Sequence, residues 1–343
     1  MTTRRKRIAC FGEALIDFLA KPADATDAPR AFHQFAGGAP ANVAVAVARL
    51  GGEAQFVGMF GEDMFGDFLI DSLHRAGVGT DHIARTDQAN TALAFVALDS
   101  EGERHFNFYR PPAADLLFRR EHFRAACFDG LASFHVCSNS LTETEIAAAT
   151  VQGMQLARAA GALVSCDLNW RAALWDRRTD PHPRLWAALD AADLIKLARS
   201  ELEFLAKPLR TERHRSDEDA VLERAWQGRA QLVIVTDGDA PVRWFTRASN
   251  GVVPSFTVRA IDTTAAGDAF VGGLLFELAR RDIDTNAFPA FLRDKDALEG
   301  ALRFAAAVGA LAVTRHGAFA AMPDLAQTQA LLNGKLIERH DYA

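Results

Sequence analysis

The chain has 343 residues, 49% of them hydrophobic and 24% charged, with a formal net charge of −6. Such a composition is that of a globular protein with room for one large α/β unit and an accessory element, and it needs no disulfide staples. It excludes a nucleic-acid binder built on a basic stripe, because the one basic run, RRKR at 4–7, reads as a solvated tail, and no segment has the length and apolarity of a membrane span.

The opening MTTRRKRIACFGEALIDFLA places basic residues before apolar ones, as a signal peptide does, but Glu13 and Asp17 interrupt the apolar run. RIACFGEALIDF is expected to open the fold as a strand. PANVAVAVARLGG (40–52) reads as a helix that stops at Gly51-Gly52. AQFVGMFG is a short apolar strand and DMFGDFLIDSLHRAGV an amphipathic helix. TALAFVALDSEGERHFNFYR (91–110) has two alternating runs around Asp-Ser-Glu-Gly, the pattern of a β-hairpin. LASFHVCS and ALVSCDLN read as buried strands separated by the helix EIAAATVQGMQLARAAG, and DLIKLA and QLVIVTDG follow as further strands. The stretch 206–219 is polar and reads as a surface loop. VRWFTRASNGVVPSFTVRA is hairpin-like, its last residues, FTVRA, reading as a strand, and two helical patterns close the chain near 268–281 and 297–313. Strands alternating with helices imply an α/β fold with a mostly parallel sheet flanked by helices. Segments near 14–35 and 91–110 would form a small β lid outside that sheet, and the whole of 1–343 reads as a single domain without internal repeats. Cys10, Cys127, Cys137 and Cys166 have no metal or redox spacing and read as buried reduced thiols of a cytoplasmic protein.

The chemistry concentrates in two motifs. IDTTAAGDAF (261–270) puts small residues and one carboxylate at the mouth of a helix. A helix N-terminus offers unpaired N–H groups and the positive end of a dipole, so an anion could approach the backbone of Ala265, Ala266 and Gly267 directly. Asp268 beside that anion could take a proton from an attacking hydroxyl, or it could be an ordinary N-capping aspartate. FAGGAPANVA (35–44) places Gly37 and Gly38 before a helix that carries Asn42, and Asp17 follows the first strand. Carboxylate, amide and bare backbone together suit a polyhydroxylated ligand, although Gly-Gly alone is usually a turn. A P-loop, a GxGxxG after a strand, HExxH and GxSxG are all missing from the sequence.

FGEALIDF, FAGGAPANVAVAVARLGG and IDTTAAGDAFVGGLL, in this order, resemble the opening strand and the two signatures of the ribokinase-like (PfkB) carbohydrate kinases. FNFYRPPAADLLF and DLNWRAALW resemble the fructokinase branch. The resemblance covers nearly the whole chain. It implies ATP-dependent phosphorylation of a sugar hydroxyl, with Asp268 as general base and the 265–267 backbone as anion hole. Asp17, Gly37, Gly38, Asn42 and Arg110 would hold the sugar, Arg110 reaching it from the lid, and Arg171 would approach the phosphate side. Lys196, Thr236 and Gly238 would line the nucleotide site. Glu201 would order Mg²⁺ through water, and Asp262 and Thr264 would attract a monovalent cation such as K⁺. Exposed-residue alternatives stand for Arg110, Arg171, Lys196 and Glu201, and simple turns for Asp262 and for Thr236 and Gly238.

The family usually has Gly where Ala265 stands, and a methyl group there is expected to be tolerated at a negative backbone angle. Ala198 replaces an Asn three residues before the acid, Pro241 falls where a Gly often follows the turn, and RFAAAVGALAVTRHG lacks an adenine-side Asn. These departures all lie on the nucleotide side. The implied partners are a small-molecule sugar, a nucleotide and a second copy of the chain docked through the lid, without nucleic acid or membrane. Kinases of the same fold acting on 2-keto-3-deoxygluconate, ribose or a nucleoside, and a catalytically silent sugar binder, are the competing readings. A keto-acid substrate would need a cation near its carboxylate, for which Arg110 is the candidate.

Overall fold

A computed structural model of the chain describes residues 7–20, 31–98 and 104–334. The first apolar run forms two strands rather than one. It breaks at 12–14, so that β1 (Arg7–Phe11) enters a large sheet and β2 (Leu15–Ala20) starts a small one. β3 (Phe32–Gly37) pairs antiparallel with β2 and leads into α1 (Ala39–Arg49), which Pro40 helps to start and which ends before Gly51 at φ +88°. β4 (Ala54–Gly61) is followed by α2 (Met64–Arg75), whose N-cap, Asp63, accepts from the amides of Phe65 and Gly66. β5 (Gly79–Thr86) was not expected from its half-polar sequence. β6 (Leu93–Leu98) and β7 (Arg104–Tyr109) form the expected hairpin, whose turn, like part of the 14–35 segment, lies outside the described residues.

The remaining units are β8 (Leu131–Cys137), α3 (Thr144–Ala159), β9 (Leu163–Asp167), α4 (His182–Ala191), β10 (Leu194–Ala198), α5 (Arg199–Ala206), α6 (Asp217–Ala225) and β11 (Leu232–Thr236). The polar stretch 206–219 is thus a loop only as far as Ser216, which caps α6. β12 (Val242–Phe245) and β13 (Asn250–Val253) form the second hairpin, but 256–260 is not a strand: the chain there has no β partner. α7 (Ala266–Arg280), α8 (Phe288–Phe291) and α9 (Lys295–Ala312) follow.

Among the described residues the large sheet has nine strands in the order β13-β12-β11-β10-β9-β8-β1-β4-β5, parallel from β5 to β11. The small sheet has the order β3-β2-β6-β7. Side chains alternate across the large sheet, Ile8 and Cys10 packing with α1, α7 and α9 on one face, Ala9 and Phe11 with α3 to α6 on the other. From β1 the chain winds one way to β4 and β5, and from β8 the other way to β11. The crevice outside the carboxyl ends of such strands, where the winding reverses, is the usual ligand site of an open α/β sheet.

α1 and α7 pack unusually closely. A Cβ added to Gly272 would lie 2.5 Å from Cβ of Ala46 and 3.0 Å from the Val43 carbonyl oxygen. Ala46 is one turn beyond Asn42, and Gly272 one turn beyond Asp268, so this contact sets how near the two polar residues come. Gly272→Val should force the helices apart and cost about 1–3 kcal/mol of stability. Denaturant unfolding checks this, and an unchanged midpoint would contradict the tight contact.

Candidate active site

Asp268 is the third residue of α7, not its cap: the cap position is Ala265, and the carboxylate is buried. Its Oδ2 accepts from Nδ2 of Asn42 at 2.7 Å. The capping alternative is thereby removed. Burial raises the Asp268 pKa above the ordinary carboxylate range, against the hydrogen bond from Asn42 and the positive charges of Arg171 and Lys196. The other amide atom of Asn42, Oδ1, is buried without a hydrogen-bond partner.

Lys196 and Glu201, for which exposed alternatives stood, are both buried. Lys196, at the carboxyl end of β10, donates from Nζ to Oδ2 of Asp167 at 3.1 Å. Burial alone would lower the ammonium pKa, but Asp167, Glu201 and Asp268 raise it, so Lys196 is a fixed cation. Glu201 accepts from the amides of Trp170 at 2.8 Å and Ala198 at 2.6 Å, and so joins β9 to the start of α5. Its role in fixing those two loops needs no Asn at position 198. Gly267 lets Lys196 come close: a Cβ there would be 3.0 Å from Nζ. One buried ammonium therefore serves the carboxylates of Asp167, Glu201 and Asp268 beside the positive end of α7.

Asp167 was not singled out from the sequence. Burial raises its pKa, as do the charges of Glu201 and Asp268, against the attraction of Lys196. The signal was available: an Asp ending an apolar strand of a parallel sheet lies on the ligand-binding edge. Glu13 was missed for the same reason. Buried at the break between β1 and β2, it accepts at Oε1 from the Ala39 amide at 3.2 Å and from Nδ2 of Asn139 at 2.8 Å. It thus ties the entry of the small sheet to the start of α1.

Of the candidate sugar residues, Asp17 and Gly37 are neighbours across β2 and β3, and Gly38 and Asn42 lie at the start of α1. A Cβ on Gly37 would collide with the Asp17 carboxylate, and Gly38, at φ +110°, packs on the backbone of Glu13 and Ala14. Arg110 departs from expectation. Its side chain is 1% exposed and does not extend from the small sheet. Nε donates to Oδ2 of Asp115 at 2.9 Å, and a terminal nitrogen to the Asn139 carbonyl at 2.8 Å. Arg171 is exposed and donates to its neighbour's carbonyl, yet its charge reaches Asp268.

Thr236 ends β11, its hydroxyl 3.5 Å from the Leu197 carbonyl, and Gly238 makes the exposed turn beyond it at φ +58°. The buried Asp262 accepts from the amides of Thr264 at 2.8 Å and Gly317 at 3.1 Å, fastening the loop before α7 to the segment after α9. Ala265 has φ +60°, ψ +11°, contrary to the negative angle expected. The left-handed residue leads directly into the first turn of α7, where the Ala266 amide donates to the Thr263 carbonyl at 3.4 Å. Among the described residues no helix is long and apolar enough to cross a membrane.

The fold and this crevice define a phosphotransferase of the ribokinase type. The pfkB family carbohydrate kinase profile matches residues 5–325. Fructokinase-1 of Oryza sativa subsp. japonica is 42% identical over 325 residues, 94% of this chain and 96% of its own. The solved structure of a fructokinase with bound ATP from Xylella fastidiosa is 57% identical, covers 97% of this chain and 99% of its own, and superposes with a TM-score of 0.91. A fructokinase from Vibrio cholerae O395, solved with fructose, ADP and calcium ion, is 31% identical over 96% of this chain and 99% of its own, with a TM-score of 0.81. The chain belongs to the pfkB family of carbohydrate kinases.

A left-handed alanine costs about 1–2 kcal/mol, of which a glycine recovers part after its own entropy loss. Ala265→Gly should therefore raise stability by up to about 1 kcal/mol. Thermal unfolding of the variant checks this, and a lower midpoint would contradict it.

Proposed function

We propose that the protein is an ATP-dependent fructokinase, transferring the γ-phosphoryl group of ATP to the 6-hydroxyl of D-fructose. The observation that carries the reading is the meeting of Asp268, Asn42 and the first turn of α7 beside Lys196. The fructokinase relatives support the substrate.

Fructose lies against Asp17, Gly37, Gly38 and Asn42. The unpartnered Oδ1 of Asn42 accepts a sugar hydroxyl, while its Nδ2 keeps the Asp268 carboxylate pointed at the hydroxyl that reacts. As that oxygen bonds to the γ-phosphorus, its proton passes to Asp268 and the bond to the bridging oxygen of ADP breaks. Charge building on the phosphoryl oxygens meets the amides of Ala265, Ala266 and Gly267 and the ammonium of Lys196, which need no reorganisation at that moment. Arg171 adds charge from the solvent side. Thr236, at the end of β11, and Gly238, in the turn after it, border the nucleotide.

Three carboxylates around one buried ammonium leave an excess of negative charge, which suits a nucleotide carrying Mg²⁺ better than a bare anion. Both Glu201 oxygens already accept amides, so Glu201 would hold the ion through water. Mg²⁺ would supply charge neutralisation of the phosphates. The loop 262–264 would attract K⁺ with carboxylate and backbone oxygens. The small sheet serves as a lid, and Phe32 and Tyr109, exposed and joined through ring contacts with Phe95, give it an apolar face for a second copy. The four buried free thiols are in keeping with a cytoplasmic setting.

Asp268→Asn should lower kcat by about 10²–10⁴-fold while fructose still binds. Because the folded pKa is raised, the acid limb of the wild-type pH–rate profile should lie above the usual carboxylate range, near pH 4. By the same sign, stability falls as pH rises from the unfolded carboxylate's pKa through the raised one, so Asp268→Asn should not lower the unfolding midpoint at neutral pH. Coupled-enzyme kinetics and calorimetry check both, and near-normal turnover of the variant would remove Asp268 as base. Asp17→Ala should weaken fructose binding roughly tenfold to a hundredfold, since hydroxyls lose a charged acceptor. Unchanged affinity by titration calorimetry would place the sugar elsewhere.

A further inference from the structure

The buried ion pair at the end of β7 bears on which sugars can enter. Asp17 pairs across the small sheet with Ala94, and Ala94 with Phe108, so these side chains share one face; Arg110 follows the end of β7. Leu15, Ala92, Ala94 and Ala113 pack together on this face with Phe108 against them. Arg110 is one hydrogen bond from Asn139, Asn139 one from Glu13, and Glu13 one from Ala39, the residue after Gly38. The guanidinium therefore stands next to the proposed sugar cradle, where it could meet a carboxylate.

It is not available to do so. Asp115, whose side chain is 4% exposed, binds it through Nε and a terminal nitrogen, and the charge of Glu13 also faces it. Asp115 alone neutralises the Arg110 charge, and burial raises the pKa of Glu13 against the attraction of Arg110. The orphaned polar atoms around the cradle are acceptors: Oδ1 of Asn42, Oδ1 of Asp115 and Oδ1 of Asn139 are buried without a hydrogen-bond partner. Buried acceptors match a ligand that brings hydroxyl donors, and they repel a carboxylate, which brings none.

We propose that Asp115 sets the charge class of the substrate: by holding Arg110 it closes the site to sugar acids and keeps it open to neutral polyhydroxy sugars. This rests on the placement of fructose against Asp17 and sharpens it. A six-carbon keto sugar acid has the size and many of the hydroxyls of fructose, so shape alone would reject it poorly. Its carboxylate would face buried acceptor oxygens and a guanidinium already occupied by Asp115.

The test compares D-fructose with 2-keto-3-deoxygluconate. In the wild-type enzyme the acid should inhibit fructose phosphorylation at least about tenfold less well than its own methyl ester, which keeps the skeleton without the charge. Equal inhibition would overturn the proposal, and this arm needs no variant. Asp115→Asn keeps the size and an acceptor for Arg110 but removes the charge. It should raise the ratio of kcat/KM for the acid over that for fructose by roughly tenfold to a hundredfold, and Arg110→Met added to it should abolish the gain. An unmoved ratio in a folded Asp115→Asn enzyme would overturn the proposal. If Asp17→Ala weakens fructose binding while that ratio stays fixed, only the role of Asp115 fails; if Asp17→Ala has no effect, the sugar placement fails and the role of Asp115 with it.

Discussion

Asn42 and Asp268 are 226 positions apart in sequence and 2.7 Å apart in space, and the arrangement of the crevice depends on that bond. It exists because α1 and α7 can approach over Ala46 and Gly272, where any larger side chain would hold them apart. α1 brings the amide at the end of a connection that leaves the large sheet, builds half of the small one and returns. α7 brings the carboxylate in its first turn. In the proposed reaction, a sugar on the small sheet and a phosphoryl group at the start of α7 would meet at one oxygen. The bond also lowers the Asp268 pKa against the larger effect of burial.

Around this pair the charges are few and fixed. Lys196 is pinned by Asp167, Glu201 ties two loops through backbone amides, and Glu13 ties the break between the sheets to α1. Buried groups of this kind lower stability unless partnered, and here Lys196, Glu201 and Glu13 each have hydrogen-bonded partners. The left-handed Ala265 is a local strain kept at the start of α7, three residues before Asp268.

Much of this was legible in the chain. The two small-residue motifs marked where backbone has to come close to a ligand, and the alternation of strands and helices gave the parallel sheet and the hairpin. Other features depended on tertiary partners. Nothing local says that RIACFGEALIDF breaks into two strands, because both halves are apolar and only the presence of two sheets separates them. FTVRA has strand-like residues but no neighbour to pair with, whereas GTDHIART has a neighbour and a mixed sequence. Ala265 could not be read as left-handed from its type, since alanine seldom adopts that region. Asp167, Glu13 and Asp115 are single carboxylates near the ends of ordinary segments; what distinguishes them is burial opposite Lys196, Asn139 and Arg110. Arg110 itself was noticed, but its engagement by Asp115 is a contact that spacing does not disclose.

The most direct test of the account is a crystal structure of the enzyme with fructose and a non-hydrolysable ATP analogue. The 6-hydroxyl oxygen of the sugar should lie within hydrogen-bond distance of the Asp268 carboxylate, about 2.6–3.2 Å, with the terminal phosphate over the first turn of α7. A 6-hydroxyl held by another carboxylate, or a phosphate bound away from that turn, would contradict it.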